Sequence, residues 1–304
     1  MKMVKDIIID TDIGDDIDDA FALAFALNSS ELNLKAVTTV FGNVEVRTKL
    51  ALKLLKTFGR DDIPVATGVG KPFFERTYRR DRYLGDEVPR QAVVLVEDEP
   101  LSKPYPMHAV DLIISTVMDA KNEVTIIPIG ALTNIATCII KEPKLVNRTK
   151  LVIMGGAVSN WFRLSLSRAE HNIRCDPEAA RIVFESGIPI TMVGLDVTMK
   201  CILSEEQVES IRKRGLATTN LLSNMTEGWG GKRVILHDPL AVAVSFDPTL
   251  TKTQPRLVNV VTTGKARGFT LASENENPNT QVCIDVNFNR FVSIFMKRIL
   301  KKPN

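Results

Sequence analysis

The feature that most limits how this chain can fold is a set of short apolar runs that do not alternate with polar residues. Residues 7–9 are three consecutive isoleucines, and similar β-branched runs fall at 34–40, 63–66, 124–129, 150–154 and 190–193. A strand with one wet face alternates, whereas an unbroken run is covered on both faces. Between the runs lie helical patterns at 18–28, 47–58, 109–121, 134–141 and 177–186. Strand and helix in alternation predict an α/β fold: an open, mostly parallel sheet flanked by helices, Rossmann-like in layout. The end of the chain differs. Segments 256–264, 267–273 and 280–287 read as a few extra C-terminal strands before an amphipathic helix at 288–302. No repeat or low-complexity linker interrupts the chain, so 1–304 reads as a single domain. Two stretches, 73–88 and 216–235, fit neither pattern and are predicted to be long lid loops.

Bulk properties exclude several classes. With 44% apolar and 25% charged residues, the chain has material for a large core. A net charge of +3 is too small to predict nucleic-acid binding. No apolar run is long enough to span a bilayer, so no membrane role is expected. The start, MKMVKDIII, passes directly into a strand without a small-residue cleavage site, which predicts a cytoplasmic protein. Cys138, Cys175, Cys201 and Cys283 form no CxxC pair and read as structural thiols.

Chemistry concentrates where the first strand stops. Six of the ten residues from 10 to 19 are aspartate. Two carboxylates about 5 Å apart repel by roughly 3 kcal/mol at an effective dielectric near 20. The flanks, IIID before and AFALAFAL after, are apolar, so the cluster sits in a crevice rather than at a wet loop tip. In open α/β sheets, ligands bind at the carboxyl ends of strands. Asp18 and Asp19 also open the next helix, where the dipole favours anions. The cluster therefore predicts a bound divalent cation, and all-oxygen ligation favours Ca²⁺ or Mg²⁺ over zinc.

Two resemblances follow. A strand ending in DTD resembles the start of Mg²⁺-dependent haloacid-dehalogenase-type phosphatases, DxDx[TV], although the fourth position here is Ile13 and no downstream acidic pair completes the pattern. The run DTDIGDDIDDA also resembles the DxDPGxDDA signature of the inosine–uridine-preferring nucleoside hydrolases, with Ile13 for proline and two extra residues, Asp15 and Asp16. Further segments similar to that family follow in its order: TTVFGN (38–43), PIGALTNIA (128–136), VIMGGA (152–157), AEHNIRCDPEAA (169–180) and HDPLAVA (237–243). Six segments in order make this resemblance the more specific one.

The resemblance implies Ca²⁺-dependent hydrolysis of the N-glycosidic bond of ribonucleosides to free base and ribose, in nucleoside salvage. It implies that Asp12 is a Ca²⁺ ligand and general base, with Asp19, Asp238 and the Ile129 carbonyl as further ligands. Asp18 would bind a ribose hydroxyl, as would Asn43, Glu170 and Asn172, with Met154 packed nearby. His237 would face the base and assist the leaving group. Asp10 would stand behind the ligands, and Asp15 and Asp16 would be exposed loop charges. Relatives are commonly dimers or tetramers, so a homo-oligomer acting on a small nucleoside is expected.

The chain departs from the family near the base. No histidine lies in the segment RYLGDEV, and VSNWFRLSLSR replaces the usual Gly-Asn pair, leaving Asn160 as the candidate substrate contact. His237 resembles the pyrimidine-preferring or nonspecific branches, while Trp229 could stack on a purine. Broad or pyrimidine-leaning specificity is expected, with purine specificity the alternative.

Overall fold

The structure is a computed structural model that describes residues 4–74, 87–158, 169–231, 233–274 and 277–302. Its strands are β1 (Lys5–Thr11), β2 (Leu32–Thr39), β3 (Val65–Thr67), β4 (Val124–Pro128), β5 (Thr149–Met154), β6 (Ile190–Val193), β7 (Thr251–Val260), β8 (Thr270–Ser273) and β9 (Thr280–Val286). They form one mixed sheet in the order β3-β2-β1-β4-β5-β6-β9-β7-β8. Neighbours from β3 through to β9 pair in parallel, and β7 turns antiparallel against both β9 and β8. The helices are α1 (Asp18–Leu27), α2 (Val44–Thr57), α3 (Ala109–Met118), α4 (Thr133–Lys141), α5 (His171–Cys175), α6 (Pro177–Phe184), α7 (Leu195–Thr198), α8 (Glu205–Lys213), α9 (Ala217–Trp229), α10 (His237–Phe246) and α11 (Phe288–Ile299).

The isoleucine run behaves as its lack of alternation requires. Ile7 and Ile9 enter a core shared with α1, α2, α10 and α11, while Ile8 enters the opposite core with α3, α4 and α6. Side chains of a strand alternate in direction, so an apolar residue at every position feeds both layers. The first core is closed by the last helix, where Phe295 lies 5.6 Å from Phe21 and 5.5 Å from Phe25 between ring centroids.

Strand order fixes where a ligand can enter. The chain winds from β1 outward to β3, then restarts beside β1 with β4 and winds the other way to β6. The crevice at this reversal lies beyond the carboxyl ends of β1 and β4. There the register sets Asp10 opposite Pro128, and the Ile129 N–H donates to the Asp10 carbonyl at 2.8 Å.

One sequence expectation is corrected. Most of 216–235 is not a loop but α9, whose buried residues Thr218, Leu221, Leu222 and Met225 repeat at helical spacing. The glycines around Trp229 mark where this helix ends, and Gly230 at φ 71° accepts the left-handed turn that stops it. Of the other expected lid, residues 75–86 lie outside the described residues.

Candidate active site

The β1 end and two helix starts build the site. Asp10 points away from the crevice: its Oδ1 accepts from Thr38 Oγ1 at 2.6 Å and from Asn134 Nδ2 at 2.7 Å. Burial, partly offset by those bonds, pushes its carboxyl up to about 7. Beyond it, Thr11 Oγ1 donates to Asp19 Oδ1 at 2.5 Å, tying the strand end to the first turn of α1. Asp238 reaches the same place from α10. It looks like a helix cap in sequence, but Leu236 occupies the cap position with no side-chain bond, and Asp238 lies in the first turn. Asp176 before Pro177 is the contrasting case, a true cap that accepts from the Ala179 N–H at 3.1 Å.

Asp18, Asp19 and Asp238 are all buried, and each offers a carboxylate oxygen within 4.8 Å of the others. Burial raises all three well above the usual carboxylate range, and mutual repulsion, with Asp12 and Asp16 adding to it, raises them further. Among the described residues no lysine or arginine forms a salt bridge with the trio, and Arg47 acts on Asp19 only through space, drawing it part of the way back down. Two helix N-termini aim their dipoles at it, which helps but does not neutralise three charges. The donor set is all oxygen, compact and anionic, and it fits a hard divalent cation.

A cavity of about 420 Å³ opens over the trio. Asp12, Asp19, Ile129 and Asp238, the residues expected to hold the metal, line it, as does Asp18, expected to bind a ribose hydroxyl. So do Met154, Glu170, Asn172, Trp229 and His237. Asn43 is not among the lining residues; its side chain caps α2, accepting from the Val46 N–H at 3.2 Å. Asn160 lies outside the described residues.

Several of these groups are already committed. Asn172 Nδ2 donates to the Ile129 carbonyl at 2.8 Å and to the Met154 carbonyl at 3.1 Å, so its N–H groups are spent and Oδ1 is the side-chain atom left for a ligand. Glu170 accepts from the backbone N–H groups of Asn172, Gly156 and Ile173 at 2.8, 2.8 and 3.1 Å. A carboxylate has about four acceptor positions, so roughly one remains for a ligand. His237 Nδ1 meets Thr198 Oγ1 at 2.7 Å, and burial lowers the imidazole to about 4, which keeps it neutral at neutral pH.

Sequence reasoning missed four residues. His171 lines the cavity with Nε2 3.7 Å from Asp12 Oδ2. Burial disfavours its charge, but Cys175 and Asp12 outweigh this and raise it above the ordinary histidine range. Asn134 is fully buried and joins Asp10, the Thr39 carbonyl and the Val69 N–H. Arg47 is buried beneath the aspartate loop, and Arg90 stands at the cavity rim. The one available signal was Arg47, a cation in the first turns of a helix, where the dipole disfavours it. Asp15 is also not a free loop charge, since it pairs with Arg47 at 2.8 Å.

The comparisons agree with this geometry. Residues 7–293 match the profile of the inosine-uridine preferring nucleoside hydrolase family. A pyrimidine-specific ribonucleoside hydrolase RihA of Photobacterium profundum is 38% identical, over 98% of this chain and 99% of its own length. The enzyme of that name from Escherichia coli is 36% identical over the same shares. A solved purine-preferring ribonucleoside hydrolase from Gardnerella vaginalis superposes with a TM-score of 0.82 at 31% identity, covering 97% of this chain and 98% of that one. The phosphatase alternative is thereby set aside. A family profile that spans nearly the whole chain, on a fold whose switch point carries the buried aspartates, makes this protein a member of the inosine–uridine preferring nucleoside hydrolases.

Proposed function

We propose that the chain is a calcium-dependent ribonucleoside hydrolase that favours pyrimidine nucleosides and inverts configuration at C1′. The observation that carries the metal requirement is the buried trio Asp18, Asp19 and Asp238, all three raised well above the usual carboxylate range despite the partial relief that Arg47 gives Asp19. Asp19 and Asp238 form the core of the ligand set, and Asp12 and the Ile129 carbonyl on the same cavity wall complete it. Bound there, calcium would orient a water, lower its pKa and hold ribose hydroxyls.

The chain's own groups do the rest. Asp12 takes the proton of the attacking water. Asp18, beside the ligands, holds a ribose hydroxyl, and the remaining capacity of Glu170 and the Asn172 Oδ1 hold others. These anionic and amide oxygens favour the positive charge that develops on the ring as the glycosidic bond breaks. At the other end, Trp229 offers a face to the base. His237 is neutral, so it serves the leaving base as a hydrogen-bond partner rather than as a store of a proton. The pyrimidine preference is supported by His237 and by the pyrimidine specificity for which the RihA relatives are named.

The test is ribose release from uridine and inosine, with EDTA and after calcium is restored. Release abolished by chelation, recovered with calcium and faster from uridine is the expected result. Equal or faster release from inosine refutes the preference, and release indifferent to EDTA refutes the metal requirement.

A further inference from the structure

Arg47 is an arginine with almost no exposure in the first turns of α2, and it does not line the cavity. A buried guanidinium must be paired and hydrogen-bonded to be tolerated. Its Nε donates to the Phe41 carbonyl at 2.6 Å. Its Nη1 donates to the Asp12 carbonyl, and to the Ile13 carbonyl at 2.9 Å. Its Nη2 meets Asp15 Oδ2 at 2.8 Å. One planar fork thus joins the loop after β1 to the turn after β2.

Both ends of that link are unusual. Phe41 has φ 64°, a left-handed conformation that a bulky residue adopts only when its surroundings enforce it. Its ring stands edge-on to His171, 6.1 Å away, and His171 in turn lies 3.7 Å from Asp12 Oδ2. Asp15 is one of the two residues by which this loop exceeds the DxDPGxDDA pattern. A longer loop has more ways to sit, and here the added residue supplies the carboxylate that Arg47 grips. From the other side, the Gln91 N–H donates to the Gly14 carbonyl at 2.9 Å and Gln91 Nε2 donates to the Asp16 carbonyl. The loop is held at residue after residue, and the carboxylate of Asp12 inherits its place from that backbone.

We propose that Arg47 is a positioning residue for the hydrolysis: it fixes the aspartate loop, and through it Asp12, without touching the substrate. This rests on the hydrolase reading above. The fork geometry is essential, because a lysine ammonium is a single point and cannot reach Phe41, Asp12, Ile13 and Asp15 together. Displacing a reacting group by about 1 Å costs on the order of 100-fold in rate. A purely structural arginine would instead lower the melting temperature and leave turnover per folded molecule unchanged.

The experiment compares wild type, Arg47→Lys and Asp15→Asn for kcat and KM on uridine, for melting temperature, and for calcium affinity by calorimetry on EDTA-stripped protein. Arg47→Lys is expected to melt near wild type and to lose about 10- to 100-fold in kcat with little change in KM. Folded Arg47→Lys with a kcat loss of less than about threefold overturns the proposal. If Arg47→Lys does not fold, Asp15→Asn decides by the same threshold, since Asp15 is only half-buried and its loss frees one arm of the fork. If wild type itself releases no ribose, the hydrolase reading fails separately. Calcium affinity then decides for Arg47: weakening of threefold or more in Arg47→Lys supports the positioning role, and a smaller change overturns it.

Discussion

Stripping the cation from the aspartate trio is the perturbation whose size the geometry sets. With carboxylate oxygens within 4.8 Å, each ionised pair among Asp18, Asp19 and Asp238 costs about 3.5 kcal/mol at an effective dielectric near 20. Three such pairs approach the whole stability of a typical domain, about 5–15 kcal/mol, so the stripped protein takes up protons instead. All three carboxyls are raised in the folded state, so the native protein binds more protons than the unfolded chain. Stability of the stripped form therefore falls as pH rises from about 4 through the raised values, by about 1.4 kcal/mol per pH unit for each extra proton. Calcium displaces those protons and removes the dependence, so its stabilisation must grow with pH. At 100 times its dissociation constant a ligand contributes about 2.7 kcal/mol. With about 2.1 cal/mol/K of unfolding entropy per residue, 304 residues convert this to a rise of about 4 °C in Tm. If binding displaces one proton, going from about pH 7.5 to about pH 6.5 at fixed free calcium should remove about 2 °C of that rise. Scanning calorimetry with EDTA and with calcium at both pH values measures the difference directly. A calcium shift that is equal at the two pH values, or larger at the lower one, refutes the reasoning.

Asp12→Asn should leave Tm near wild type and lower kcat by about 10²- to 10⁴-fold, read from ribose release; near-normal turnover would remove Asp12 as the base. Gly130→Ala tests the crowding behind Asp12, because an added Cβ would lie 2.8 Å from Val40 Cγ1 and 3.0 Å from both Asp12 N and Asp12 Oδ1. Overpacking of this kind costs about 1–3 kcal/mol, so a drop in Tm is expected together with a loss of kcat of about tenfold or more. Ellman's reagent on the native protein should modify Cys175 alone, since burial pushes the Cys201 and Cys283 thiols up to about 12 and about 11 and Cys138 higher still. Reaction of a second thiol before unfolding would contradict that burial.

The layers were legible because their signal is local. Ile7, Ile8 and Ile9 declare a strand covered on both faces, and the reversal of strand order then places a site at Asp10–Asp12 and Ile129 with little further information. Asp238 was legible only through resemblance, since Asp-Pro at a helix start reads as a cap unless the partner helix is known to face it. Trp229 and its glycines misled for the opposite reason: three glycines in four residues look like a loop, yet they form the last turn and cap of a helix whose buried face is spelled by Thr218, Leu221, Leu222 and Met225. Asn43 illustrates a residue with two good uses, of which the structure displays the cap. Arg47 showed in the sequence only as a cation misplaced near a helix start, because its partners are mostly backbone carbonyls, which no residue type announces.

That choice of partners has an electrostatic meaning. A buried arginine beside six aspartates could have paired with the trio directly, and the site would then be a neutral core of carboxylates and guanidinium. Arg47 instead directs three of its four bonds to carbonyls and its one ion pair to Asp15, outside the trio. The same economy holds on the opposite wall, where Asn172 satisfies two carbonyls and Glu170 three N–H groups. Neutral and structural needs are met by neighbours, while the negative charge of Asp18, Asp19 and Asp238 is left without a salt bridge among the described residues, Arg47 relieving Asp19 only through space. A fold that buries three carboxylates together and gives them neutral donors, Thr11 Oγ1 to Asp19 and the Asp238 N–H to Asp18, but no salt bridge among the described residues is arranged to take its positive charge from solution. The pH-dependent calcium shift is therefore the measurement on which this reading of the site depends most.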